Sequence, residues 1–144
     1  MHNQISKKNL IAIVDDEDDI VNLFREALGP INGNTVFTFT DPVVALEHFK
    51  INAEKYILVI SDLRMPALTG MELIKELKTM NQFVRTILMT AFMTEDELFQ
   101  EYTKRELING FLQKPIHLDD LRLEVNNQLH AYELLKQEPF IKIK

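Results

Sequence analysis

Five positions along the chain carry side chains suited to one kind of chemistry. They are the adjacent carboxylates Asp15 and Asp16, the lone carboxylate Asp62, the hydroxyl of Thr90 and the ammonium of Lys114. Each ends or directly follows a short apolar run. Clustered carboxylates repel one another and need a cation, and hard oxygen ligands of this type suit Mg²⁺. A hydroxyl and an ammonium beside them suit the oxygens of a phosphoryl group. Taken singly, every one of these residues has an ordinary explanation. Asp62 reads as a turn or cap residue, Thr90 as a strand or cap residue, and Lys114 as solvated surface. The acidic run continues through Glu17, Asp18 and Asp19, which suit a helix N-terminus, where each carboxylate gains about 0.3–1 kcal/mol. Asp15 and Asp16 differ, because accumulated charge on a strand end costs stability unless a cation is present. The argument rests on the set.

The elements that must position these residues follow from the apolar pattern. Residues 10–14 (Leu-Ile-Ala-Ile-Val), 56–61, 86–91 and 110–113 are short runs, mostly apolar and without the alternation of a half-exposed strand. Such runs read as strands covered on both faces, the habit of a parallel sheet. Residues 34–40 alternate more and read as an edge strand. Between the runs lie helical periods. Ile20, Leu23, Phe24, Ala27 and Leu28 form the first, stopped by Gly29-Pro30. Asp41-Pro42 starts the second, with Val44, Ala45, Leu46 and Phe49. Met71, Leu73, Ile74 and Leu77 mark the third. Thr94 through Glu97 supply a cap for the fourth, whose apolar side is Leu98, Phe99 and Tyr102. The fifth is long: Leu118, Leu121, Val125, Leu129, Tyr132 and Leu135, ending near Gln137, with Pro139 as its stop.

The order is strand then helix, five times over. That predicts an α/β fold, a five-stranded parallel doubly wound sheet in a three-layer αβα arrangement. Such sheets bind ligands at the carboxyl ends of their strands. Asp15-Asp16, Asp62, Thr90 and Lys114 stand at four such ends and should converge on one rim.

Composition narrows the function classes. The chain has 144 residues, 16 Lys and Arg against 22 Asp and Glu, a net charge of −6, and no cysteine. Disulfide scaffolds, cysteine nucleophiles and thiolate metal sites are excluded. No apolar run approaches the roughly 18 residues of a membrane span, and the first residues lack a signal-peptide core, so a cytoplasmic protein is expected. The acidic balance argues against direct nucleic-acid binding. The histidines, His2, His48, His117 and His130, show no ligand spacing. No P-loop, dinucleotide or serine-hydrolase motif is present.

Residues 13–17 (Ile-Val-Asp-Asp-Glu), 61–66 (Ser-Asp-Leu-Arg-Met-Pro) with Gly70, 89–91 (Met-Thr-Ala) and 111–115 (Phe-Leu-Gln-Lys-Pro) occur in that order. As a set they resemble the response-regulator receiver domain of two-component signalling, a CheY-like, flavodoxin-like fold. The resemblance covers about residues 8–126. It implies that Asp62 is the phosphoacceptor, taking a phosphoryl group from a phosphohistidine on a sensor kinase or phosphotransfer protein. It implies that Asp16, Asp15, Asp62 and the backbone carbonyl of Arg64 bind Mg²⁺. Lys114 would pair with phosphoryl oxygens, and Thr90 would donate a hydrogen bond to them, with Ala91 leaving room beside it. The Lys114-Pro115 bond is expected to be cis, turning the lysine inward. Phe111, three residues before the lysine, would be the switch partner of Thr90, remodelling the face of the fourth helix, fifth strand and fifth helix.

Two departures from the family's pattern matter. Phe92 and Met65 are bulky and apolar near the acceptor, which predicts restricted water entry and a long-lived phosphoryl group. The fifth helix also runs past the usual domain end. Residues 1–126 are therefore assigned to the receiver and 127–144 to a helical extension and short tail, with no output domain. The extension, or the face of the fourth helix, fifth strand and fifth helix, would serve a homodimer or an unidentified downstream protein. Two other readings are weaker. A hydrolase of the haloacid-dehalogenase kind needs a second Asp two residues after the first, and that position is Arg64. A pseudo-receiver scaffold should have lost an acceptor, metal or lysine position, and none is lost.

Overall fold

The computed structural model describes residues 9–31, 33–91 and 97–142. Its strands are β1 (Leu10–Val14), β2 (Thr35–Phe39), β3 (Tyr56–Asp62), β4 (Arg85–Thr90) and β5 (Gly110–Gln113). Its α-helices are α1 (Asp18–Leu28), α2 (Pro42–Asn52), α3 (Gly70–Met80), α4 (Glu97–Lys104) and α5 (Leu118–Lys142). All strand pairs are parallel, in the order β2-β1-β3-β4-β5. The sequence order reverses at β1, so the crevice of a doubly wound sheet opens between β1 and β3.

Burial explains why the apolar runs became strands. Every residue of β1 and β3 is buried, whereas β2, on the edge, is half-exposed throughout. One face of the sheet packs Ile11, Ile13, Leu58, Ile60, Ile87 and Met89 against Val21 and Phe24 of α1 and Leu121, Val125 and Tyr132 of α5. On the other face Ala12, Val14 and Val59 meet Ala45 and Phe49 of α2 and Leu73 and Leu77 of α3. A smaller cluster joins Leu88 to Ile74, Phe99 and Tyr102, seating α4.

Local chemistry sets the helix starts. Asp41 caps α2, its side chain accepting from the Val43 N–H at 2.9 Å, with Pro42 in the first turn. Thr69 and Glu72 form a reciprocal capping box at α3. The expected cap of α4 at Thr94, Glu95 and Asp96 lies outside the described residues, as do Phe92 and the side chain of Leu98.

Strand ends shift by a residue from expectation, and the end of the last helix differs most. Pro139 does not end the last helix, which continues to Lys142. Proline removes one backbone donor and crowds the preceding turn, but the helix on either side keeps its other bonds. The extension also packs on its own domain. Tyr132 is buried in the core, Leu135 is half-buried, and Lys136 Nζ lies 5.6 Å from the Phe83 ring and 5.7 Å from the Tyr132 ring.

Candidate functional site

Strand register brings the site together. Val14 pairs with Ser61, Asp62 with Met89, and Thr90 with Gln113. The residues that end or follow these strands must therefore meet at one rim. Carboxylate oxygens of Asp15, Asp16 and Asp62 all lie within 4.8 Å of one another. Lys114 Nζ is 2.9 Å from Asp62 Oδ1 and 3.6 Å from Asp15 Oδ2. Asp15, Asp62 and Thr90 are buried, and Asp16 is exposed.

Backbone contacts hold each member. The Asp15 N–H donates to Phe39 O at 3.1 Å, and Asp15 Oδ1 accepts from the Glu17 N–H at 2.9 Å. Ser61 Oγ donates to the Asp62 carbonyl at 3.0 Å, and the Lys114 N–H to Thr90 O at 2.7 Å. The Lys114-Pro115 peptide is cis. After Asp62 the chain turns back on itself, and the Gly70 N–H donates to Leu63 O at 2.9 Å. A Cβ on Gly70 would collide with the Asp62 carbonyl oxygen and lie 2.9 Å from Leu88 Cδ1. Only glycine permits that approach. In the same loop Ala67 holds φ 74°, and the Leu68 N–H reaches Pro66 O at 2.8 Å. A three-residue turn of this hand is rare and strained. Arg64 lies in this loop and is exposed. Met65 is buried among Val14, Ala45 and Leu73, as part of the core.

Electrostatics sharpen the picture. Burial, the largest influence, pushes the Asp15 carboxyl above its ordinary value, and the neighbouring charge of Asp62 adds to it against the Glu17 N–H and Lys114. Burial alone would lower the Lys114 ammonium, but its hydrogen bond to Asp62 and the charges of Asp15, Asp62 and Glu17 raise it. Among the described residues Asp15 Oδ2 is buried without a hydrogen-bond partner. Lys114 Nζ, 3.6 Å away, is beyond hydrogen-bond reach. An orphaned carboxylate oxygen beside two further carboxylates is a donor set that fits a hard divalent cation.

Phe111 is 39% exposed and sits edge-on to Phe99 of α4, with ring centroids 5.9 Å apart. Asp15, Asp16, Asp62 and Lys114 thus form one cluster, Thr90 ends the neighbouring strand, and Phe92 lies outside the described residues. What sequence reasoning missed is the support: Glu17 through its N–H, Ser61 through its hydroxyl, and the capping box of α3. Only the last had a legible signal, Thr69-x-x-Glu72.

Comparison with known proteins agrees with this geometry. Residues 11–126 match the model of the response regulator receiver domain. The chain is 33% identical over 128 residues to the luminescence regulatory protein LuxO of Vibrio campbellii, covering 88% of this chain and 27% of that protein. It therefore spans about a quarter of the length of that relative. It is 30% identical over 119 residues to sporulation initiation phosphotransferase F of Bacillus subtilis, covering 83% of this chain and 92% of the relative. The crystal structure of a response regulator receiver domain protein from Clostridium thermocellum superposes with a TM-score of 0.73 at 28% identity, over 88% of this chain and 98% of that one. With a family model spanning most of its length and a matching sheet, the chain belongs to the response regulator receiver domain family.

Proposed function

We propose that this receiver is a phosphoacceptor switch in which Asp62 takes a phosphoryl group from a phosphohistidine on a sensor kinase or phosphotransfer protein. The observation that carries the reading is the contact of Lys114 Nζ with Asp62 Oδ1 at 2.9 Å inside a cluster of three carboxylates. An Asp62 oxygen attacks phosphorus. The P–N bond breaks, its electron pair returns to the imidazole nitrogen, and an acyl phosphate remains on Asp62. Lys114 meets the incoming oxygens as a point charge, and Thr90 donates to them. Asp15, Asp16, Asp62 and the Arg64 carbonyl would hold Mg²⁺, which when bound supplies positive charge against the phosphoryl oxygens. Catalysis is then mostly positioning, and the chain acts as a switch that catalyses only its own phosphorylation and dephosphorylation.

The readout couples Thr90 to Phe111. The phosphoryl group adds about −1.5 to −2 charges. Thr90 moves toward it, and Phe111 leaves Phe99 for the vacated space, changing the α4-β5-α5 surface offered to a partner or a second copy. Residues 1–126 form the receiver, and 127–144 an extension of the fifth helix with a short tail that serves contacts beyond it. The setting is the cytoplasm, where response regulators meet their kinases. Met65, walled into the core, supports slow water entry and a long-lived phosphoryl group.

Intact mass after treatment with acetyl phosphate and Mg²⁺ tests the assignment. The expected result is a gain of one phosphoryl group in the wild type and none in Asp62→Asn. No gain, or an equal gain in the variant, sinks the proposal.

A further inference from the structure

At the pole of the sheet opposite the carboxylates, where β4 begins, lies a cavity of about 370 Å³. Its walls include Lys78, Phe83, Arg85, Arg105, Glu106 and Leu135. That is three cations and one acid in a chain whose net charge is −6. The volume is that of a small-molecule site.

The cations are held in place by neutral groups. Lys78 Nζ donates to Asn109 Oδ1 at 2.9 Å, and Arg85 Nε to Gln128 Oε1 at 2.8 Å. Asn109 is itself fixed, since its Oδ1 accepts from the Thr86 N–H at 2.9 Å. Gln128 is buried, and its Nε2 donates to Glu124 and to the Asn109 carbonyl. Neither Lys78 nor Arg85 forms an ion pair among the described residues. Burial, reinforced by the charge of Arg85 and opposed by that of Glu106, pushes the Lys78 ammonium down to about 8, and burial lowers Arg85 against the charges of Glu106 and Glu124. Two desolvated cations that repel each other, with the charges of Glu106 and Glu124 acting on them only from beyond ion-pair distance among the described residues, gain when an anion joins them directly. Arg105, at the rim, is paired with Glu101 at 3.3 Å.

We propose that this cavity binds a small phosphate-bearing molecule, its oxygens meeting Lys78, Arg85 and Arg105 and its organic part lying against Phe83 and Leu135. Phosphate suits the site better than carboxylate. A tetrahedral group with two charges accepts from cations arriving along different directions, and guanidinium forks match it. The site is separate from Asp62 and does not depend on the phosphoacceptor reading.

The test is an amide and Arg-side-chain NMR titration of the full chain with pyrophosphate, ADP and succinate, without Mg²⁺ and at constant ionic strength. Expected are saturable shifts at Phe83, Glu106, Asn109 and the Arg85 Nε–H, the same in Asp62→Asn, with ADP tighter than pyrophosphate. Lys78→Met and Arg105→Gln should each weaken binding about tenfold. Glu106→Gln removes the one acid from the wall and should tighten binding severalfold, a gain that structural damage does not give. Shifts that never saturate, succinate binding as well as pyrophosphate, or no tightening in Glu106→Gln would overturn the proposal.

Discussion

Asp15 is the residue at which stability and function oppose each other. It is fully buried, one of its oxygens lacks a hydrogen bond among the described residues, and its pKa is raised chiefly by burial. A carboxyl whose folded pKa exceeds its unfolded one stabilises the fold at low pH and loses that contribution as pH rises through the folded value. At neutral pH the ionised group is therefore a cost. Asp15→Asn should raise stability in chelator by about 1 kcal/mol, or a few degrees in Tm. Mg²⁺ should then stabilise the wild type and leave the variant nearly unchanged. Thermal unfolding with EDTA and with Mg²⁺ measures both. Lys78 gives the opposite pH signature. Its folded pKa of about 8 lies below the unfolded 10.5, so the unfolded chain binds more protons between those values and stability rises with pH across them. Lys78→Met should flatten that rise and add about 1–2 kcal/mol at pH 7, allowing for the solvent on its open side. Urea unfolding at pH 7 and pH 10, each against wild type, reads the difference.

At the scale of elements, the loop from β3 to α3 joins the acceptor to a helix. Gly70 opens α3 and lies against the Asp62 carbonyl, so the start of the helix and the position of the acceptor are one packing problem. Gly70→Ala should cost about 1–3 kcal/mol through overpacking and slow phosphorylation of Asp62, seen in denaturant midpoints and in the rate of mass gain. The sequence announced this helix through its periodic apolar residues, and its Thr69-x-x-Glu72 cap signal was there to be read. It did not announce the strained turn at Ala67, because alanine carries no preference for positive φ and only the surrounding loop imposes one. The last helix taught a different lesson. Pro139 reads as a stop on local grounds, yet the helix runs through it. Local propensity is a weak prior beside the rest of a long helix.

Over the whole molecule, the sheet has two chemically different poles. Strands end in carboxylates and a lysine at one, and β4 begins among cations at the other. The end of α5 ties the second pole down through Gln128, Tyr132 and Lys136. Tyr132→Ala should lower stability by about 2–4 kcal/mol, because it empties a space at the margin of the core and removes one ring from Lys136. Far-UV circular dichroism on heating would report it, and a variant as stable as wild type would mean that the extension merely overhangs.

The sequence by itself determined the alternation of strands and helices, the parallel sheet and the identities of the residues on its rim. Unbroken apolar runs bury both faces, and charges are tolerated only where such runs end. Tertiary structure decided what no local pattern encodes. Register across β1, β3, β4 and β5 set which carboxylates meet, leaving Asp15 Oδ2 without a hydrogen bond among the described residues and Lys114 on Asp62. It also gathered Lys78, Arg85 and Arg105, from α3, the start of β4 and the turn after α4, around one cavity. Such residues are far apart along the chain, and only packing of the helices on the sheet makes them neighbours.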